Sequence, residues 1–318
     1  MTLTADILES PMLTEEKIAV ELVARISRAT VMRRDEPLAR HTTLRVGGPA
    51  DFYVEPASDM ELAGIVQFCA RQSVPFFIIG RGSNLVVRDG GVRGVVICLA
   101  HPHFSRIEIM GERLHCGAGA KLKNVSVEAK RNNLSGVEFL EGIPGSVGGA
   151  LRMNAGAMGA WTFDVVESLR FMDHAGEIHE RSADQVPVEY RACPLLKTNV
   201  ALGAVFKCTP LPREEIEKRM LAYSEKRWES QPAAPSAGCM FKNPPAIPAG
   251  KLIDEIGLKG AHVGGAMVSL EHGNFIVNGG SATARDVLEL IALLKARAKE
   301  ACGIELHTEV EIIGEEIG

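Results

Sequence analysis

Apolar positions along the chain switch between a period near 3.6 and a period of two, so helices and strands are expected to alternate. Ile18, Leu22 and Ile26 recur at spacings of four between Glu15-Glu16 and Arg33-Arg34, charges that suit the two ends of a helix, and predict a surface helix over 15–34. Residues 41–56 read as a turn and a short strand. Ser58-Asp-Met-Glu61 is a capping-box signature, and Leu62, Ile65, Val66 and Cys69 form the apolar stripe of a helix that Pro75 ends. Strands are predicted at 76–79, 85–87 and 92–99, hairpins near 105–116 and 165–181, a helix over 121–131 and a strand over 201–208. From 212 the pattern changes to a charged helix (213–228), a proline-rich loop (231–250), a short helix (251–256) and strands at 262–270 and 274–277. A second capping box, Thr283 to Asp286, opens a helix that Gly303 closes. In 304–313, Ile304, Leu306, Val310 and Ile312 alternate with Glu305, His307, Glu309 and Glu311, which predicts a strand with one polar face.

The remaining numbers narrow the class. The 318 residues allow two or three domains, and 46% hydrophobic with 24% charged residues is ordinary for a globular protein. A net charge of −5 argues against a nucleic-acid partner, which needs a basic face. Seven cysteines without a CxxC pair read as reduced thiols of a cytoplasmic protein, not as a disulfide framework or a zinc site. The first seventeen residues carry acids and no apolar core, so no secretory signal is expected, and the short apolar runs are too short to span a membrane. His101-Pro-His103 lacks a third ligand and reads as surface, so no metal is expected.

The chemistry points to two glycine runs. Six of the eighteen residues in 142–159 are glycine, flanked by apolar residues, which is not linker composition and suits backbone wrapped closely round a ligand. The second run, Gly80-Arg81-Gly82-Ser83-Asn84, follows a strand directly and offers successive N–H groups to phosphate. It is not a dinucleotide fingerprint, because Leu85 and a further strand follow it. Two such loops point to a large phosphate-bearing cofactor. Arg45, beside Gly47-Gly48, reads equally as a ligand contact or as a solvated arginine.

HTTLRVGGPADFYVEP, IIGRGSNLVV, GIPGSVGGALRMNAGAMG, YRACPLL, PSAGCMFKNP, AGKLIDEIGLKG, GNFIVN and HTEVEIIGE occur in an order and spacing that resemble the UDP-N-acetylenolpyruvoylglucosamine reductase family over about 40–314, in its shorter subclass lacking a tyrosine-bearing insert loop. The resemblance implies an α+β protein. An FAD-binding domain of the vanillyl-alcohol oxidase type, with two α/β subdomains split near 100, would fill 1–212; a smaller α/β substrate-binding domain would fill 213–303; and 304–318 would return toward the active site. It further implies FAD, NADPH as hydride donor, and small-molecule substrates. No protein partner is inferable. Gly80, Arg81, Gly82, Ser83 and Asn84 would hold the pyrophosphate, with Arg45 nearby, and Gly145, Ser146, Gly149 and Asn154 would line the rest of the flavin.

Three residues carry over as catalytic. Arg191 would hold the substrate carboxylate and its developing charge. Glu309 would be a second polar group there, with a raised pKa and a protonated or hydrogen-bonding role. Cys239 stands where the family usually has serine; a thiol, with an ordinary pKa of about 8.5, would be the general acid. Without the resemblance these read as an ion-paired arginine, a solvated glutamate and an inert cysteine. Tyr190, Arg227, Lys242, Asn243 and His262 would meet the substrate, with Lys251 and Lys259 as further cations, although each basic residue alone reads as a surface charge. An oxidase on the same flavin fold and a flavin-bound sensor without turnover remain alternatives.

Overall fold

The computed structural model describes residues 13–317, and most of the stretch read for a secretory signal lies outside the described residues. The first of three successive bodies opens with α1 (Glu15–Val23), which buries Ile18 and Leu22. The helix expected over 15–34 ends there, and Arg33 and Arg34 belong instead to β1 (Val31–Pro37). The cause is a distant acid: the Ser27 N–H and the Thr30 hydroxyl both donate to the Glu61 carboxylate. Arg34 then reaches back to Glu15 and Glu16. β1 pairs antiparallel with β2 (Pro49–Glu55). α2 (Asp59–Arg71) is capped by Ser58, which accepts the Glu61 N–H. The expected box is not reciprocal, since the Glu61 carboxylate also takes the Ala57 N–H. β3 (Phe76–Ile79), β4 (Leu85–Val87) and β5 (Val92–Cys98) follow, and the sheet runs β1-β2-β5-β3 with β2 and β3 parallel to β5. Leu22, Leu62, Ile65 and Ile97 pack together in one core cluster of this body, and Leu38, Tyr53 and Val96 form another.

The second body comprises β6 (Ile107–Met110), β7 (Arg113–Gly117), α3 (Leu122–Arg131), β8 (Leu134–Ser135), α4 (Val147–Arg152), β9 (Gly156–Ala157), β10 (Ala160–Trp161), α5 (Thr162–Val165), β11 (Val166–Met172), β12 (Ile178–Ser182), β13 (Val200–Lys207) and β14 (Thr209–Pro210). Its antiparallel sheet runs β12-β11-β13-β7-β6. The pattern gave no sign of α4, which lies inside the glycine run. Val147, Ala150 and Leu151 turn into the core there, and a Cβ on Gly148 would sit 3.0 Å from that of Ala118, so the glycine permits close packing of the helix.

α6 (Arg213–Ser230), β15 (Ser236–Cys239), α7 (Ala249–Glu255), β16 (His262–Val263), β17 (Ala266–Val268), β18 (Phe275–Asn278), α8 (Ala284–Cys302) and β19 (Glu311–Ile313) complete the chain. The third sheet runs β15-β18-β17-β16 and shares its core with Leu252 and Ile253 of α7 and Val287, Leu290 and Ile291 of α8. α6 packs back on the second body: Tyr223 joins that core and Glu217 pairs with Lys130 of α3 at 2.8 Å. The alternation expected over 304–313 is present, with Leu306 and Val310 buried, but ladder pairing is confined to β19, which runs parallel to β4 of the first body. Upstream, the Lys242 N–H donates to the His307 carbonyl and the Glu309 N–H to the Met240 carbonyl, which ties the segment to the third body.

Candidate active site

All three bodies line one cleft of about 1220 Å³. A pocket for one drug-sized ligand holds roughly 300–1,000 Å³, so the cleft has room for two bound molecules. Gly80, Arg81, Gly82, Ser83 and Asn84 form one wall, Gly145, Ser146 and Gly149 another, and Arg45 stands at the lining. Among the described residues, the N–H groups of Arg81, Gly82, Ser83 and Asn84 have no backbone or side-chain acceptor. Four such donors in sequence at the end of β3 make an anion nest. A Cβ on Gly80 would lie 2.8 Å from the Ser146 hydroxyl, so the two loops meet across this position. The donor set and the close backbone fit a flavin dinucleotide.

The three expected catalytic residues meet in this cleft. Arg191 occupies a two-residue turn closed by reciprocal Glu189–Ala192 backbone hydrogen bonds, with φ of +58°. Left-handed backbone at a non-glycine residue costs of order 1–3 kcal/mol and persists only where the surroundings impose it. Its Nε donates to Glu309 Oε1 at 2.7 Å, and its guanidinium lies 5.0 Å from the Trp161 ring centre and 5.3 Å from that of Tyr190. Glu309 is largely buried. Burial raises its carboxyl more than the Arg191 guanidinium lowers it, so the expected direction is observed, with desolvation as the main cause. Cys239 ends β15 beyond a register shift, after Gly238 at φ of +74°, and its backbone pairs with Phe275. Asn274 holds the next residues in place: its amide accepts the Phe241 N–H and donates to the Phe241 carbonyl. Burial pushes the Cys239 thiol up to about 12, and the Glu309 carboxylate adds to the shift. The thiol is thus a weaker acid than its ordinary value implied, and it stays protonated at neutral pH.

Other expected residues are placed differently. Arg227 lines the cleft, donating from Nη1 to the Gly142 carbonyl, while its buried Nε has no partner among the described residues. Asn154 is buried outside the lining, with its amide accepting the Phe163 N–H and donating to the Glu189 carbonyl. Tyr190 is 48% exposed and stacks edge-on with Trp161. Lys242 and His262 are exposed outside the lining, as is Asn243, whose side chain accepts the Ala249 N–H. Lys251 pairs with Glu255, and Lys259 with Asp254. Sequence reasoning missed Trp161 and the cleft-lining Arg152; for Trp161 a tryptophan beside the glycine run was the available signal, and for Arg152 there was none. Among the described residues, Asp173, Glu177 and His179 cluster at the β11–β12 turn, but Asp173 is already engaged by His179 and by two backbone N–H groups.

Comparison with known proteins gives the family. Residues 50–182 match the FAD binding domain family, and residues 231–313 match the family described as UDP-N-acetylenolpyruvoylglucosamine reductase, C-terminal domain. The UDP-N-acetylenolpyruvoylglucosamine reductase of Geobacter metallireducens is 44% identical over 300 residues, 93% of this chain and 99% of its own length. That of Clostridium botulinum is 43% identical over 284 residues, 89% of this chain and 92% of its own. The crystal structure of the Thermus caldophilus reductase superposes with a TM-score of 0.78 at 41% identity, covering 89% of this chain and 99% of that one. With an FAD-binding domain, a reductase C-terminal domain and full-length relatives above two-fifths identity, the chain belongs to the UDP-N-acetylenolpyruvoylglucosamine reductase family.

Proposed function

We propose that the cleft carries out the family's reaction with Arg191, Glu309 and Cys239 as its working groups. The activity is FAD-dependent reduction of the enolpyruvyl group of UDP-N-acetylglucosamine enolpyruvate, with NADPH as donor, to give UDP-N-acetylmuramate for peptidoglycan. When bound, FAD supplies the hydride that adds to C3 of the vinyl group. Electron density then moves onto the carboxylate. The fork of Arg191 binds that carboxylate and stabilises the charge, held by Glu309 and backed by Trp161. The Cys239 thiol gives its proton to C2, and solvent restores it. Glu309 acts by hydrogen bonding.

We assign Gly80 to Asn84, Gly145, Ser146, Gly149 and Arg45 to the flavin, and Arg227, through its unpartnered buried Nε, to the nucleotide phosphates. Tyr190, Lys242, Asn243 and His262 lie outside the cleft lining, and as substrate contacts they would act from its rim. The substrate-binding domain is read as 213–303, with α6 as the bridge that carries Arg227 against the flavin-binding part. Among the described residues no helix is long and apolar enough to cross a membrane. We place the enzyme in the cytoplasm, where NADPH and sugar nucleotides are found.

The observation that carries this reading is the meeting of Arg191, Glu309 and Cys239 in the cleft that the two glycine loops line. Anaerobic mixing tests it. Flavin reduced by NADPH returns to the oxidised form on addition of the enolpyruvyl sugar nucleotide, with equimolar product. Arg191→Met still accepts hydride but is reoxidised at least ~10²-fold more slowly. Normal reoxidation of Arg191→Met would remove Arg191 from the carboxylate.

A further inference from the structure

Glu309 has a counterpart two residues further along the chain. Glu309 lies just ahead of β19 and Glu311 opens it, and both line the cleft. Each meets an arginine from the second body. Arg191 Nε lies 2.7 Å from Glu309 Oε1, and Arg152 Nη2 lies 2.8 Å from Glu311 Oε1. The two arginines are also joined through backbone, because the N–H of Cys193, two residues past Arg191, donates to the Arg152 carbonyl at 2.9 Å. Asn84 holds the carboxylate segment from the flavin loop. Its side-chain amide donates to the Glu309 carbonyl at 3.2 Å, and its own carbonyl accepts the Glu311 N–H at 3.0 Å. The result is two arginine–carboxylate rungs between α4 with its neighbouring turn and the segment that enters β19.

We propose that Arg152 and Glu311 are a positioning pair, a second rung that fixes the Glu309 segment and so sets the geometry between Glu309 and Arg191. This rests on the roles given above to those two residues. Stability alone does not account for the second rung. Both its side chains are about one-third exposed, and such pairs contribute about 0–1 kcal/mol. Position accounts for it better, since a displacement of about 1 Å in catalytic geometry costs about 10²-fold in rate. Electrostatics acts in the same direction. Without Arg152, the Glu311 carboxylate stands uncompensated two residues from Glu309 and disfavours charge there. Without Glu311, Arg152 is free to compete with Arg191 for Glu309. The other titratable groups around Glu309 are Lys242, Cys239 and Tyr190, and none of them pairs with Glu311 or Arg152.

The test uses Arg152→Met, Glu311→Gln and the exchange Arg152→Glu/Glu311→Arg in the flavin-loaded enzyme. Flavin reduction by NADPH and reoxidation by the enolpyruvyl substrate are followed anaerobically from pH 6 to 10. Each single variant is expected to lower the ratio of reoxidation to reduction rate about tenfold or more and to displace the pH profile of reoxidation. The exchange is expected to bring both back toward the parent. An unchanged ratio and profile in both single variants overturns the proposal, as does an exchange variant that binds flavin but stays as impaired as the single ones. Should the exchange variant fail to fold, the single variants decide alone. Glu309→Ala runs in parallel. If its reoxidation is normal, the reading of Glu309 itself fails; if it is slowed while the Arg152 and Glu311 variants are normal, only the second rung is overturned.

Discussion

At the scale of single residues, burial changes what each acid can do. Glu309 touches a guanidinium at 2.7 Å, yet desolvation raises its carboxyl above the ordinary value. Holding Arg191 is the role proposed for it. Glu309→Gln is expected to keep reoxidation within about tenfold of the parent, and Glu309→Ala to lose on the order of 10²-fold. Equal loss in both would assign proton transfer to the carboxyl. Trp161 works through the same arginine. A cation–π contact contributes about 0.5–2 kcal/mol. Trp161→Ala is thus expected to raise KM for the enolpyruvyl substrate about 2- to 30-fold, while Trp161→Phe restores most of it. An unchanged KM in the alanine variant would show that the 5.0 Å contact does not orient Arg191.

At the scale of elements, what was legible followed local signals. The Thr283–Asp286 box forms reciprocally and Gly303 closes α8 with φ of +68°, so both ends of that helix were readable from side-chain chemistry. α1 was overextended because the group that ends it, Glu61, lies 34 residues beyond Ser27, outside any local window. β19 was overextended for a related reason: burial alternation runs through 304–313, while hydrogen-bond partners change from Met240 to β4 along the way. The glycine loops could be found from their composition, and Arg191, Glu309 and Cys239 because their motifs resemble a family. Arg152 could not, because its meaning depends on an ion pair 159 residues away. Glu61 also gives a stability prediction. Burial opposes its ionisation, but hydrogen bonds from Thr30, Ser27 and Ala57 outweigh this and hold the carboxyl down at about 2. Its stabilisation is complete above the ordinary value of about 4.3 and is lost as pH falls toward about 2. Glu61→Ala is expected to cost on the order of 2–3 kcal/mol by urea unfolding at pH 7, and about half as much at pH 3. An equal cost at both would place its role in packing.

At the scale of the whole molecule, buried thiols couple the fold to alkaline pH and the cleft gathers the three bodies. Burial pushes Cys69, Cys116, Cys208 and Cys239 up to about 12, against about 8.5 in an unfolded chain. A raised thiol pKa stabilises the fold fully below about pH 8.5, and this is lost as pH rises toward 12. Urea midpoints should therefore fall between pH 8 and pH 10.5; a flat profile would contradict the burial of these groups. The cleft needs all three bodies, because the first brings the loop over 80–84, the second Arg191, and the third Cys239. The most direct test of that assembly is anaerobic stopped-flow absorbance of Cys239→Ala beside Cys239→Ser. NADPH is expected to reduce both at the parent rate. The enolpyruvyl sugar nucleotide then reoxidises the serine variant readily and the alanine variant at least ~10²-fold more slowly. An alanine variant reoxidised at the parent rate would contradict it.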